Sequence, residues 1–252
     1  MIKSYLSYRF NCTKASKVNH LFIKRLNHSV FSKLNQINDK EIQNYIKLLS
    51  VNKTLLKVTD LGAGSKNTKS AERSIKSIVN SASITPRFGC LLQLLIQEFK
   101  CKTVLELGTS LGVGTSYLAL QKSTNVYTIE GCPTISGFTQ NKLSHLSNVN
   151  FYIGEFSSQL NDVLTQSGSP DLIYIDGNHT YNATVNYFEY CIENASPNAI
   201  LVFDDIHWSR GMEKAWDEIV KSKDVSISID LFRMGIVFLD QSLDEKDFVL
   251  SF

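Results

Sequence analysis

Two acids and a run of glycines carry the clearest chemistry in this sequence. In TVLELGTSLGVGTSYLAL (103–120) a short apolar run reaches Glu106, glycines follow at 108, 112 and 114, and a helical pattern resumes. That order reads as a buried strand, a tight turn and a helix start. Glycine takes positive φ cheaply and has no side chain, so such a turn lets a ligand lie against bare backbone. The N–H groups opening the following helix then face that ligand. The next apolar run, NVYTIEG, ends in Glu130, an acid able to accept both hydroxyls of a ribose. The spacing is GxxxGxG. No register gives the GxGxxG dinucleotide fingerprint, and no GxxxxGK[ST] phosphate loop is present. Two later stretches add further acids: DLIYIDGNHTY carries Asp176 and His179, and LVFDDIHWSRG carries Asp204 and Asp205.

These residues need a scaffold that brings distant turns together. From residue 101 on, apolar runs alternate with helical patterns. Strands are expected at 103–107, 125–130, 149–153, 171–176 and 199–204, with helices near 113–122, 134–146, 157–167, 181–195 and 210–222. Two further strands, 225–232 and 235–240, have only Arg233 and Met234 between them. So short a link excludes a parallel crossover and makes the pair antiparallel. In sheets of this kind ligands bind beyond the C-terminal strand ends, and all the acids named above fall there.

Residues 1–100 read as an α-helical region leading into that domain. Residues 1–14 are polar and irregular, as in a loose tail. Apolar residues recur at helical spacing over 18–34 among Lys17, Lys24, Arg25 and Lys33, which marks a basic amphipathic helix. A membrane surface, the cover of the site or a second subunit would each suit its apolar face; packing within the chain is the simplest. Helices are also expected at 39–50 and 70–82, and from Thr85-Pro86, with Thr as N-cap, to Phe99. DLGAG at 60–64 imitates the glycine motif. It lacks a strand before it and an apolar helix after it, so it reads as a loop closing over the ligand.

The strand, glycine turn, helix and second acid together resemble the first two motifs of class I S-adenosyl-L-methionine (SAM)-dependent methyltransferases. Five α/β units followed by an antiparallel hairpin are similar to that fold. The resemblance covers about residues 85–240 and implies a mostly parallel, seven-stranded, Rossmann-like sheet. It places Glu106, Gly108, Thr109, Ser110 and Gly112 around the methionine part of the cofactor. Glu130 and Gly131 fall at the ribose, Glu155 and Phe156 at the adenine, and Asp176 at the cofactor's amino group. Phe156 equally suits the core. Within the class, Asp176, Asp204 and Asp205 are nearest to the catechol and caffeoyl-CoA O-methyltransferase-like pattern. That pattern implies a divalent metal, Mg2+, on these three acids; such a cation lowers a hydroxyl's pKa and orients its oxygen. In that group a Lys three residues after the first metal Asp acts as base. Here the offset gives His179, which titrates near neutral pH. The alternative for the same residues is structural: Asp176 ordering loops, Asp204 and Asp205 capping the next helix, His179 as a hydrogen-bonder.

Composition sets the outer bounds. The chain has 252 residues with 43% apolar content, ordinary for a globular protein. No run reaches the length of a membrane span, and no secretory signal is read at the N-terminus. The five cysteines are scattered without a CxxC pair, which suits a cytoplasmic setting. Residues 1–100 carry 17 Lys/Arg against 5 Asp/Glu, and residues 101–252 carry 9 against 19. A basic arm on an acidic body suits an anionic partner, or serves solubility alone. The expectation is a helical N-terminal region (1–100) with a cap, acceptor or dimer role and a SAM-binding domain (101–252). The activity expected is methyl transfer to a small-molecule acceptor through a hydroxyl oxygen, with a homodimer and peripheral membrane contact as further expectations. The alternative is a non-catalytic SAM- or nucleoside-binding module docking nucleic acid or membrane through its basic N-terminus. The strand end IDGNH, in place of an NPPY-type motif, argues against base-nitrogen chemistry.

Overall fold

The computed structural model describes residues 2–35, 39–59 and 71–252. The chain opens with α1 (Ile2–Asn11), the two-residue strand β1 (Thr13–Lys14) and α2 (Leu21–Ser29). The expected loose tail is therefore ordered. Long-range partners hold it: the Tyr8 hydroxyl donates to the Leu250 carbonyl at 2.5 Å, and Tyr5 and Tyr8 pack on Phe232. The helix expected over 18–34 is shorter, ending at Ser29 before a tight turn at Phe31–Lys33. Its apolar face is covered by the chain itself, with Phe22 against Phe99 and Phe238.

Next come α3 (Lys40–Val51), β2 (Leu55–Val58), β3 (Ala71–Ser74), α4 (Ile75–Ala82) and α5 (Pro86–Phe99). Asp39 caps α3 by accepting from the Ile42 N–H at 2.9 Å, and Ser74 caps α4. Pro86 starts α5 as expected, although the Thr85 side chain makes no capping bond. The stretch 70–82 is not helical throughout: β3 pairs antiparallel with β2. The DLGAG loop at 60–64 lies outside the described residues.

From here helices and strands alternate: β4 (Thr103–Leu107), α6 (Val113–Leu118), β5 (Asn125–Glu130), α7 (Pro133–Lys142), β6 (Val149–Ile153), α8 (Phe156–Ser167), β7 (Leu172–Ile175), α9 (Tyr181–Asn194), β8 (Ile200–Asp204) and α10 (Arg210–Ile219). β9 (Ile227–Asp230), β10 (Met234–Phe238) and β11 (Lys246–Ser251) complete the chain. The sheet has nine strands in the order β1-β11-β9-β10-β8-β7-β4-β5-β6. The seven expected strands are β4 to β10; β11 and β1 extend the sheet beyond β9 through parallel pairing. β10 runs antiparallel to both β8 and β9, and every other pair in this sheet is parallel.

Successive side chains of a strand point to opposite faces, and the sheet is covered on both. Val104, Leu172 and Val202 belong to one apolar core with residues of α2, α4 and α5. Leu105, Ile173 and Leu201 belong to the other, with Leu160, Phe188 and Trp216 of α8, α9 and α10. Chain order reverses between β4 and β7: β5 and β6 lie on one side of β4, β7 and β8 on the other. A ligand crevice opens at such a reversal, beyond the carboxyl ends of the strands. Among the described residues no helix is long and apolar enough to cross a membrane.

Candidate active site

The glycine turn after β4 sits in this crevice. Gly108 has φ +112°, and a Cβ there would lie 2.0 Å from the Asp176 carbonyl oxygen. Only glycine lets the β4 turn pass this close to the end of β7. At Gly114 a Cβ would lie 2.8 Å from Glu106 Oε1, so the absent side chain keeps that oxygen open. Glu106 itself is fully buried. Its Oε2 accepts from the hydroxyls of Thr115 and Thr128, each at 2.6 Å, while Oε1 has no partner among the described residues. Thr109 bonds Thr128 at 2.5 Å and so backs this relay. Burial, opposed by the two hydroxyl bonds, pushes the Glu106 carboxyl up to about 7. A buried carboxylate oxygen without a partner is costly and suits a cationic ligand group. Glu106, Gly108, Thr109, Ser110, Gly114 and Asp176 line one small cleft, closed from the other side by Ala82, Ser83 and Ile84 between α4 and α5. The latter three carry no signal in the sequence.

Glu130 ends β5, and backbone groups hold its carboxylate on both sides. Oε2 accepts from the Ser110 N–H and Oε1 from the Cys132 N–H, both at 2.8 Å. The Gly131 N–H adds to this field; burial raises the Glu130 pKa and these donors oppose it. Each oxygen retains a lone pair, which is what two neighbouring hydroxyls need. Gly112 opens α6 with φ +73°, and Thr139 Oγ1 donates to the Ser110 carbonyl at 2.7 Å, so the turn is fastened to α7. Tyr45 of α3 also donates to it, at the Leu111 carbonyl. Glu155 is exposed at the start of α8. Phe156 leans on Gly177, where a Cβ would meet its ring at 2.7 Å, and meets Tyr187 edge-on. Phe156 thus packs beside the second apolar core.

The ends of β7 and β8 supply the opposite rim. The Tyr174 hydroxyl donates to Asp176 Oδ2 at 3.1 Å, and His179 Nε2 lies 3.6 Å from Oδ1. Asp204 is buried and is gripped by Arg233, whose Nε and Nη2 donate to its two oxygens at 3.2 and 3.1 Å. Arg233 Nε is also 3.8 Å from Asp205 Oδ1. Burial, then the neighbouring Asp204 and Asp205 charges, hold the Asp176 carboxyl well above its usual range. Burial and Asp204 likewise raise Asp205. The three acids expected to hold a metal, Asp176, Asp204 and Asp205, stand at this rim with the Arg233 guanidinium against two of them. Among the described residues no group of three or more His, Cys, Asp and Glu side chains is placed to hold a metal ion. Each Asp204 oxygen accepts one N–H of the Arg233 guanidinium. The helix-cap alternative for Asp204 and Asp205 is corrected, since Ser209 caps α10. Arg233 is the residue the sequence reading passed over, as a hairpin link. The signal was a lone charge between apolar residues in LFRMG, directly before the strand antiparallel to β8. Nearby, His207 lies between Asp230 Oδ2 (2.8 Å) and Glu213 Oε1 (3.5 Å), and Trp208 is exposed on the rim. A larger cavity of about 430 Å³ beneath Phe22, Phe99 and Phe238 holds none of these residues.

Residues 105–206 match the family model described as "Methyltransferase domain". This part of the chain is similar to a methyltransferase domain. The chain is 28% identical over 130 residues to a catechol O-methyltransferase of Niastella koreensis, covering 49% of this chain and 58% of that one. It thus spans little more than half the length of this relative. Among solved structures, a putative O-methyltransferase from Klebsiella pneumoniae superposes with TM-score 0.61 at 13% identity, over 88% of this chain and 100% of that one. The O-methyltransferase from Bacillus cereus in complex with SAH gives 0.59 at 16%, over 84% and 99%. TomG from Streptomyces achromogenes, in complex with SAM, gives 0.56 at 15%, over 84% and 96%. At these identities the likeness is one of fold, and the fold is that of the class I methyltransferases.

Proposed function

We propose that this methyltransferase domain takes SAM as donor and moves its methyl group to a hydroxyl oxygen of a small-molecule acceptor. One observation carries the reading. At the sheet's reversal point, a Glu130 carboxylate pinned by backbone N–H groups stands beside a glycine turn that packs against the buried Oε1 of Glu106, which has no partner among the described residues. Glu130 would hold the two ribose hydroxyls. Glu106 Oε1 would meet a cationic part of the cofactor's amino-acid end, with the glycine turn admitting it against backbone. Bound SAM supplies an electrophilic sulfonium methyl. The chain's share of the rate comes from holding the acceptor in line and excluding water. His179 takes the acceptor's hydroxyl proton: with Nε2 turned to Asp176, Nδ1 is the atom left to accept it. Asp176 orients that ring. With Arg233 paired to both Asp204 oxygens, this chemistry needs no Mg2+.

The test is calorimetric titration of SAM into the protein and into Glu130→Ala, followed by transfer of labelled methyl to a panel of catechols and other phenols. Micromolar binding that the variant loses, with a labelled methyl ether as product, is the expected result. No binding heat and no labelled ether would refute the proposal.

A further inference from the structure

The acids at the ends of β7 and β8 gather around a cation that belongs to the chain. Backbone pairing puts it there. Met234 is the register partner of Asp204 in the antiparallel β8–β10 pair, so the residue before Met234 stands beside Asp204 and Asp205. The turn that carries Arg233 is clamped. The Phe232 N–H donates to Asp230 Oδ1 at 2.6 Å, the Arg233 N–H to the Leu231 carbonyl at 3.0 Å, and the Ile206 N–H to the Arg233 carbonyl at 3.3 Å. Phe232, at φ 69°, stacks on His207 with centroids 5.2 Å apart and also meets Tyr5 and Tyr8 of α1. From this footing the guanidinium reaches both oxygens of the buried Asp204 in a two-pronged contact, the strongest geometry for such a pair.

We propose that Arg233 stands in the place of a divalent cation, so that this domain holds its acid cluster together, and meets its acceptor, without a metal. The half concerning the acceptor rests on the methyl-transfer reading; the half concerning the cluster does not. A hard divalent ion takes carboxylate oxygens as ligands, and each Asp204 oxygen already accepts from Arg233, so an ion there would have to sit against the guanidinium. The guanidinium is charged at every accessible pH, so it repels a second cation placed among the same acids. Swinging it away would leave the Asp204 carboxylate buried and unpaired. Unlike a bound ion, it can be neither chelated nor exchanged. Its Nη1 makes no hydrogen bond among the described residues, and 31% of its side chain is exposed. A hydroxyl acceptor at these strand ends therefore meets a fixed positive charge.

The experiment is titration with Mn2+, followed by the electron paramagnetic resonance signal of the free ion, on the full chain without SAM. Wild type is expected to show no saturable site at millimolar Mn2+. Arg233→Met keeps the bulk and removes the charge; it is expected to gain a one-equivalent site, lost again when Asp204→Asn is added. One equivalent bound by wild type and lost in Asp205→Asn overturns the proposal, as does a folded Arg233→Met protein that binds none. If Arg233→Met does not fold, wild type and the charge-keeping Arg233→Lys decide: no site supports the proposal, and a site that needs Asp205 overturns it. SAM binding, measured separately in EDTA, tells the two readings apart. Its absence would sink the methyltransferase reading and leave the Mn2+ result standing.

Discussion

Glu106 offers the sharpest quantitative test of the site. Its carboxyl is fully buried, with one oxygen held by two hydroxyls and the other bare, and its pKa rises from 4.5 to about 7. A carboxyl with a raised folded pKa keeps its proton in the folded state over a range where the unfolded chain has released it. Between these two values the folded state binds more protons, so stability falls as pH rises. For a single group with these constants the loss between pH 5 and pH 8 is about 2.5 kcal/mol. Glu106→Gln has the same shape and hydroxyl contacts but nothing to titrate. Its melting temperature, subtracted from that of wild type at each pH, isolates this group, because every other titration is shared. The difference is expected to grow in favour of the variant by roughly 5–10 °C between pH 5 and pH 8 in cofactor-free protein. Scanning fluorimetry in overlapping buffers reads this directly. A cation set against Oε1 stabilises the carboxylate, so added SAM is expected to flatten the wild-type slope. At pH 6, SAM binding is expected to release a proton, visible as a buffer-dependent heat. Parallel melting curves for the two proteins would refute the assignment of a strained, half-satisfied carboxylate.

Other positions make simpler claims. Gly108→Ala must place a Cβ 2.0 Å from the Asp176 carbonyl at φ +112°; a loss of at least about 2 kcal/mol in chemical denaturation is expected from the backbone conformation alone. A variant as stable as wild type would show that the β4 turn sits farther from β7. His179→Asn keeps a polar side chain and removes the base. A drop in kcat of about 10²–10⁴ with SAM affinity unchanged is expected, and a kcat within tenfold would move the proton to another acceptor.

The strands β4, β5 and β6 are legible to the residue because each is a short apolar run closed by polar or glycine punctuation. Glu106 and Glu130 could be placed at one crevice because strand ends and chain reversal follow from the βα alternation. What escaped was pairing between segments far apart in sequence. A two-residue strand such as β1 has no period to detect; only its partner β11 makes it a strand. AERS at 71–74 looks helical by its polar residues, and it is extended because β2 lies beside it. The triad of acids was legible as residue types, but the Arg233 guanidinium among them was not. The register of β10 against β8 brings that guanidinium alongside, and it cannot be seen from the spacing of Asp176, Asp204 and Asp205 alone. Ala82, Ser83 and Ile84 reach the cleft only through the packing of the N-terminal helices, a tertiary fact without a local pattern.

The outer edge of the sheet orders events in time. β1 pairs with β11, and Tyr8 reaches Leu250, 242 positions later in the chain. At about 5–20 residues per second of synthesis, α1 waits roughly 10–50 s for the residues it must join. Until then Tyr5 and Tyr8 of α1 lack the Phe232 ring they pack on, and Tyr8 lacks the Leu250 carbonyl. For that interval α1 is held only by its own local structure. The same pairing ties the fates of the two ends together. Deleting β11 is expected to release α1 as well, uncovering Phe232 and loosening the turn that aims Arg233.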